Sequence, residues 1–310
     1  MPFLRFIPET TNVDFVGWRY YAFAVDGLLL LVTVASIAWY GFNLGIDFTG
    51  GVLLEMKASH AVDIGAVRSQ VDGLGFGDSK IQYVGGGQCD TPPQSCTLIR
   101  VRPKTGQSEN AVVAAIKQKL GSNYSARNAQ VIGPKVSEEL FHNGVEATVL
   151  AILLISVYVA FRFEWQYGVG ALIATGHDVL VTAGLFSVLQ LDFTLNSVAA
   201  LLLLAGYSIN DTVVVFDRIR ENRRKYKRMK LPELINLSTN QIATRTTLVS
   251  VATALTMIPL LIFGGSELQV FSAAILFGIF VGTFSSTYVA AALLLYLPPL
   301  AGSANEEVAA

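Results

Sequence analysis

Six long apolar runs constrain this chain more than any other feature of its sequence. The runs lie at residues 21–40, 144–161, 167–189, 195–216, 246–263 and 270–297. A helix needs about 20 mostly apolar residues to cross a bilayer core, so each run is a candidate span. Of the 310 residues, 52% are hydrophobic and only 15% are charged, and mean hydropathy is +0.51. These values predict a polytopic α-helical membrane protein with six transmembrane helices. They exclude a disordered chain, a disulfide-dense scaffold and a basic nucleic-acid binder.

The first run could alternatively be a cleaved signal peptide. Ser36-Ile37-Ala38 has the small-x-small pattern of a cleavage site. The run is long enough to span a bilayer, and the segment before it is long for a signal peptide, so we favour a transmembrane helix. Either alternative leaves the following domain on the same side of the membrane.

Lysine and arginine residues in the short loops predict the orientation of the helices. Eight of them lie between the fourth and fifth runs: Arg218, Arg220, Arg223, Arg224, Lys225, Lys227, Arg228 and Lys230. The loops around Asp192 and Glu267 contain none. The positive-inside rule therefore places both termini and a basic loop at 217–244 in the cytoplasm. We interpret the cluster as a topology anchor near anionic lipid, with a nucleic-acid patch as the alternative.

This orientation gives a complete domain plan. Residues 1–20 are a cytoplasmic N-terminal segment, 21–41 the first transmembrane helix, and 42–142 a polar domain outside the cytoplasm. Residues 143–297 hold transmembrane helices two to six, and 298–310 form a cytoplasmic tail. The chain is thus predicted to be a multi-pass membrane protein that contacts the lipid bilayer and no nucleic acid.

The polar domain alternates between short strands and helices. Apolar and β-compatible stretches predict strands at 51–57, 80–84, 97–101 and 128–132. Helical spacing predicts helices at 60–74 and at 108–120, the second with Ser108 as its cap. The order βαββαβ is that of an α+β, ferredoxin-like domain.

Cys89 and Cys96 are the only cysteines, and both lie in this domain. Outside the cytoplasm they are candidates for a disulfide that closes the loop between the two middle strands. Two free thiols remain the alternative. A metal site is disfavoured, because the other ligands that zinc needs are not visible near them.

The fourth run changes abruptly from leucine-rich to polar at Tyr207, Ser208, Asn210 and Asp211. A charge inside a bilayer costs about 2.5–3.5 kcal/mol on insertion scales, so each such residue needs a reason. Arg245, at the start of the fifth run, falls at a depth comparable to that of Asp211 if the two helices are antiparallel neighbours. We expect the two to form an ion pair that a proton could switch off. A static pair, or an arginine that reaches the interface, is the alternative.

Other polar and small residues mark helix contacts. His177 and Asp178 lie in the middle of the third run and are candidates for a proton relay or for a polar contact between helices. Asp26 lies in the first run, where we expect it to reach the interface. Ala274, Gly278, Gly282 and Ser286 recur every four residues and predict close helix packing. Pro259 predicts a kink in the fifth helix.

Catalytic and cofactor motifs are not visible in the sequence. It has no Walker loop, kinase set, nucleophile elbow or HExxH motif, so we predict neither a catalytic centre nor a metal site. The chain is therefore expected not to be an enzyme and to need no cofactor.

Four stretches together resemble a known family. They are GIDFTGG at 45–51, FEW at 163–165, GYSINDTVVVFDRIREN at 206–222 and TRT at 244–246. With the six runs and the polar domain, they resemble the SecF members of the SecD/SecF family of the bacterial Sec protein-export machinery, within the RND superfamily. The resemblance covers essentially the whole chain.

The resemblance implies a function and partners. Such a protein acts with SecD beside the SecYEG channel and the SecA motor, and YajC and YidC are further candidate partners. It uses the proton-motive force, or sodium in some relatives, to promote late, ATP-independent translocation of preproteins. The resemblance links Asp211 and Arg245 to ion coupling, with Asn210, Ser208, Tyr207, His177 and Asp178 as further candidates.

Two other functions remain as rivals. Half of an RND-type small-molecule exporter would need a large aromatic pocket in the polar domain. A passive scaffold that only stabilises SecD or the channel would tolerate the loss of the charges at Asp211 and Arg245.

Overall fold

The chain folds into a helical bundle with a small α+β domain inserted after its first long helix. The computed structural model describes residues 11–76, 79–84, 89, 92–104 and 107–298. Most of the predicted tail at 298–310 and the first ten residues of the predicted N-terminal segment therefore lie outside the described residues.

The elements follow in chain order. They are α1 (Arg19–Tyr40), β1 (Asn43–Leu44), α2 (Ile46–Thr49), β2 (Gly51–Ala58), α3 (Ile64–Asp72), β3 (Ser79–Val84), β4 (Cys96–Val101), α4 (Glu109–Leu120), β5 (Tyr124–Ile132), α5 (Pro134–Arg162), α6 (Trp165–Val188), β6 (Asp192–Phe193), α7 (Leu195–Lys225), α8 (Leu231–Phe263), α9 (Gly265–Phe284), a π-helical segment (Ser285–Ala290) and α10 (Ala291–Leu293).

The six apolar runs all fall on helices long and apolar enough to cross a membrane, as predicted. These helices are α1, α5, α6, α7, α8 and the continuous stretch from α9 to α10. The polar domain lies at one end of the bundle, which we call the domain end. The turn between α7 and α8 lies at the opposite end, which we call the basic end.

The predicted basic loop at 217–244 is wrong in its secondary structure. Helices α7 and α8 continue through nearly all of it, and only the five residues from Tyr226 to Lys230 lie between them. Arginine, lysine, glutamate and leucine are good helix formers, so the end of the apolar run is not the end of the helix. The chain also remains helical through Pro259, which lies inside α8.

The domain has the predicted order of strands and helices. Its sheet has the strand order β3-β4-β2-β5, and all three pairings are antiparallel. Strand β2 is central, and Leu54 pairs with Ile99 on one side and Ala129 on the other. One face of the sheet packs against α3 and α4 around a core that includes Val67 and Ile116.

The two domain helices begin differently from their predictions. Helix α3 begins at Ile64 rather than at 60, because the Asp63 side chain accepts hydrogen bonds from the N–H groups of Gly65 and Ala66. Ser108 occupies the cap position of α4, but its side chain makes no capping hydrogen bond. The prediction of Ser108 as the cap residue is therefore correct in position, but the expected side-chain hydrogen bond is not formed.

Cys89 and Cys96 are joined by a disulfide in the domain. Arg127 lies beside it, with Nη1 2.8 Å from Cys89 Sγ and 2.8 Å from Glu55 Oε1. Glu55 and the two sulfurs are close enough together to hold a metal ion. The disulfide removes the thiolate ligands that such a site would need, so this group is better described as a disulfide flanked by an ion pair.

The segment before α1 is held against α8 at the basic end. Asn240 Oδ1 accepts hydrogen bonds from Thr11 Oγ1 at 2.7 Å and from the Val13 N–H at 2.8 Å. Asp14 accepts from the Gly17 N–H and from the Asn236 amide, and these two bonds lower the pKa of its carboxyl group. The start of α1 is thus fixed to α8 by side-chain hydrogen bonds.

The predicted small-residue face of α9 is where this helix packs against α7. A Cβ added at Gly278 would lie only 2.5 Å from Leu204 Cδ2, and one at Gly282 would lie 3.5 Å from the Ser208 Cβ. The absence of side chains at these positions therefore brings α7 and α9 into close contact.

Replacing Gly278 tests this contact. We expect Gly278→Val to destabilise the bundle by about 1–3 kcal/mol, because the new side chain overpacks against buried Leu204. Gly206→Val is the matched control, since no atom outside its own helix lies within 4 Å of a Cβ there. Thermal unfolding in detergent measures both variants, and equal melting temperatures would contradict the proposed packing.

Candidate ion-coupling site in the helical bundle

Polar side chains from five helices meet in the middle of the bundle. The cluster contains Asp26 of α1, His177 and Asp178 of α6, Tyr207, Ser208 and Asp211 of α7, Ser250 of α8, and Thr283 and Ser286 of the last span. We call it the polar cluster. Because unpartnered polar groups are costly at this depth, the contacts among these side chains matter for both stability and function.

Asp178 is the most enclosed member of the polar cluster, with no exposed surface. Its Oδ2 accepts a 2.5 Å hydrogen bond from Ser208 Oγ, and its Oδ1 lies 3.1 Å from His177 Nδ1. The adjacent position of the two residues predicts that they face different partners. Asp178 faces Ser208 of α7 and His177 Nε2 faces Asp26 of α1, as predicted, and the imidazole Nδ1 also contacts the neighbouring carboxylate.

Asp26 does not reach the interface, and that expectation is wrong. Its carboxylate is buried, and Oδ1 lies 3.6 Å from His177 Nε2. Helices α1 and α6 pack closely here, because Gly184 of α6 leaves room for Thr33 of α1. The sequence did not identify His177 as the partner of Asp26. A lone aspartate in an otherwise apolar helix was nevertheless a sign that Asp26 has a buried partner.

Asp211 accepts a hydrogen bond from Ser286 in the π-helical segment. The predicted ion pair with Arg245 is wrong: among the described residues, no Arg245 nitrogen lies within 4.0 Å of the Asp211 carboxylate. Arg245 is exposed on α8, and it acts on Asp211 only as an electrostatic neighbour. Asp211 faces the last span because the small residues of α9 bring that span close to α7.

The remaining predicted residues of α7 divide between the interior and the surface. The Tyr207 hydroxyl donates a 2.9 Å hydrogen bond to Ser250, whose oxygen lies 2.7 Å from Thr283 Oγ1. This chain links α7, α8 and α9. Asn210, in contrast, is exposed on the outside of the bundle, as is Arg245.

The domain is attached to α7 as well as to its own flanking helices. Asp47 Oδ2 accepts a 2.8 Å hydrogen bond from the Leu195 N–H, the first backbone donor of α7. Asp192, just before α7, forms a 2.6 Å ion pair with Arg100 of β4. Strands β1 and β6 pair in parallel at the same place. The helix that carries Asp211 therefore begins in direct contact with the domain.

The fold and the polar cluster define a class of protein. It is a six-span membrane protein with ionisable groups buried between its helices and a domain docked on the helix that carries one of them. Groups of this kind inside a membrane mark ion pathways.

Family models identify the chain more closely. Residues 112–299 match the model described as "Protein export membrane protein SecD/SecF, C-terminal", and residues 36–62 match the "SecD/SecF GG Motif". The chain belongs to the SecD/SecF family of the Sec translocase and corresponds to its SecF members.

Individual relatives agree with this assignment. The chain is 39% identical to "Protein translocase subunit SecF" of Rhodobacter capsulatus over 305 residues, covering 95% of this chain and 91% of that protein. It is 36% identical to "Protein translocase subunit SecDF" of Brucella abortus, covering 94% of this chain and 38% of that protein. A SecF-like region therefore occurs within a much longer SecDF chain.

A solved structure supports the fold. The crystal structure of SecDF, a translocon-associated membrane protein from Thermus, superposes with a TM-score of 0.83 at 35% identity. The alignment covers 94% of this chain and 39% of that one.

The contact between Asp47 and α7 can be tested by hydrogen exchange. We expect Asp47→Ala to raise the exchange rate of the Leu195 amide and its first-turn neighbours several-fold, because losing one hydrogen bond costs about 1 kcal/mol. Asp63→Ala is the control, since Asp63 caps α3 within the domain. It should affect α3 alone, and unchanged exchange in α7 after Asp47→Ala would contradict the contact.

Proposed function

We propose that this chain is the SecF subunit of a bacterial Sec export complex, in which it acts with SecD to couple an ion gradient to protein translocation. The proposal places it in the inner membrane with residues 42–142 outside the cytoplasm. SecYEG, SecA and an emerging preprotein are the wider partners, with YajC and YidC as further candidates. The coupling ion is a proton, with sodium as the alternative.

The observation that carries the proposal is the environment of Asp211. Its carboxylate lies inside the bundle, accepts a hydrogen bond from Ser286, has the Thr246 hydroxyl as a second polar neighbour, and has Arg245 nearby without an ion pair. A carboxylate whose neighbours are neutral hydroxyls can change its protonation state at lower cost than one fixed in a buried ion pair. Moving one charge through a membrane potential supplies roughly 2.3 kcal/mol per 100 mV, enough to change such contacts.

SecD is proposed to cover the exposed polar face of α7 and α8. Asn210 and Arg245 lie on the outside of this bundle, and most of α8 is not buried within it. Lipid tails cannot hydrogen-bond these side chains, whereas a second set of helices can. The longer SecDF relative and the longer SecDF structure, of which this chain covers about two fifths, support the same arrangement.

The domain would receive the motion through α7. A change at Asp211 shifts α7 relative to the last span, and the start of α7 is bonded to Asp47 and, through Asp192, to Arg100. A shift of α7 would therefore reach the domain through these direct contacts rather than through a linker.

A cavity among the described residues of the domain is smaller than a small-molecule exporter would need. The cavity beside β3 and β4 holds about 90 Å³, and its lining includes Leu44, Thr49, Lys80, Arg100 and Arg102. It is too small to hold a drug-sized compound, so this cavity does not favour the small-molecule exporter.

Neutralising Asp211 tests the proposed function. We expect Asp211→Asn to keep assembly with SecD and to reduce gradient-dependent export by at least tenfold in inverted vesicles, because the side chain can no longer bind or release a proton. Asp217→Asn is the matched control, since it makes the same change on an exposed residue of the same helix. Full export by Asp211→Asn would favour the passive scaffold.

A further inference from the structure

A second group of ionisable side chains lies between α1 and α6. Asp26, His177 and Asp178 are 5%, 8% and 0% exposed. His177 stands between the two carboxylates, with Nε2 3.6 Å from Asp26 Oδ1 and Nδ1 3.1 Å from Asp178 Oδ1. Three titratable groups are thus enclosed together where water does not screen them.

The charge on these three groups depends on how many protons they hold. With both carboxylates ionised and the imidazole neutral, the group carries two negative charges. One added proton leaves one negative charge, and a second leaves none. Because net charge at this depth is costly, the group is expected to hold at least one proton.

The structure shows where a mobile proton would go. Asp178 is bonded by Ser208 and faces His177 Nδ1. Both Asp26 oxygens and His177 Nε2 are buried and have no hydrogen-bond partner among the described residues. A proton taken from water onto Nε2 makes an imidazolium whose N–H faces Asp26, and such a charge-assisted bond shortens to about 2.7–2.9 Å.

We propose that Asp26, His177 and Asp178 form a second proton-binding centre, distinct from Asp211, that draws α1 toward α6 when it takes up a proton. The inference deepens the proposed function and rests on it. Closing the 3.6 Å gap moves α1, and α1 ends at Tyr40 only two residues before β1, which pairs with β6 beside the domain. The centre thus links protonation to the helix that leads into the domain.

The charged neighbours of the centre are few. Asp26 and His177 act on each other and are both influenced by Asp178. From α7, Asp211 is the electrostatic neighbour of Asp178, and Arg245 of α8 is an electrostatic neighbour of Asp211. The last span contributes Gly282, whose lack of a side chain leaves room for the Asp178 carboxylate. Asp211 and this centre therefore repel each other when both are ionised.

The alternative is a static polar contact that only holds α1 against α6. The chain contains such a contact between the same two helices, because Ser36 Oγ lies 2.9 Å from Ser187 Oγ and neither group titrates. Ser36→Ala is therefore a control for the loss of a buried interhelical hydrogen bond without the loss of a proton site.

Infrared difference spectroscopy tests proton binding directly. The sample is the complex of the full chain with SecD in lipid vesicles, exposed to a step in pH. We expect wild type and Ser36→Ala to show the same imidazole and carboxylate bands. In His177→Gln the imidazole component should disappear, and in Asp26→Asn its midpoint should shift by at least one pH unit. Bands unchanged in both variants would overturn the proposal.

Export measurements test whether the centre serves coupling. Asp26→Asn and His177→Gln should each lower gradient-driven export at least fivefold, and the double variant should be no worse than the poorer single one, since both remove one centre. Normal export by Asp26→Asn, or a multiplicative loss in the double variant, would overturn the inference. Should His177→Gln fail to copurify with SecD, the near-isosteric Asp26→Asn decides alone.

The same assay separates this inference from the proposed function. If Asp211→Asn loses gradient-driven export while Asp26→Asn keeps it, the function stands and the second centre is wrong. If wild type shows no dependence on the gradient, the proposed function fails and the second centre fails with it.

Discussion

The cost of placing ionisable groups in a low-dielectric interior governs the middle of this bundle. Asp26, Asp178 and Asp211 all lie among apolar helices, and each is placed beside a specific polar side chain from another residue. The hydroxyls of Ser208 and Ser286 and the ring of His177 are those partners. Gly278 and Gly282 let α9 approach α7 beside Ser208 and Asp211, and Gly184 lets α6 approach α1 near Asp26, because bulkier residues would separate the helices.

Helix α7 connects the domain, the polar cluster and the basic end of the bundle. Its domain end is bonded to Asp47, its middle carries Ser208 and Asp211, and its basic end is joined to α8, where Asn222 donates to Ser238 and to Gln241. A displacement of α7 would therefore change its contacts with the domain, within the polar cluster and at the turn into α8. This continuity is why the arrangement suits coupling better than a bundle whose charges lie on unconnected helices.

The sequence predicted the site unevenly, and the physical reasons differ between residues. Asp211, Ser208, His177 and Asp178 were found because polar residues in apolar runs are conspicuous. The ion pair between Asp211 and Arg245 was wrong, because similar depth on consecutive helices does not fix the rotation of either helix about its axis. The position of Asp26 was also predicted wrongly. Its partner, His177, lies on a helix more than 130 residues away, and the sequence does not show which face of α1 packs against that helix.

The sequence by itself determined the six spans, the order of elements in the domain, the closeness of the cysteines and the membership of the family. Each of these follows from local pattern: apolar length, strand and helix periodicity, or a contiguous motif. Only the tertiary structure decided that Asp211 faces Ser286, that His177 stands between two carboxylates, and that Asp47 accepts a hydrogen bond from the first N–H of α7. These contacts join distant parts of the chain, and they depend on how helices rotate and pack, which local sequence does not encode.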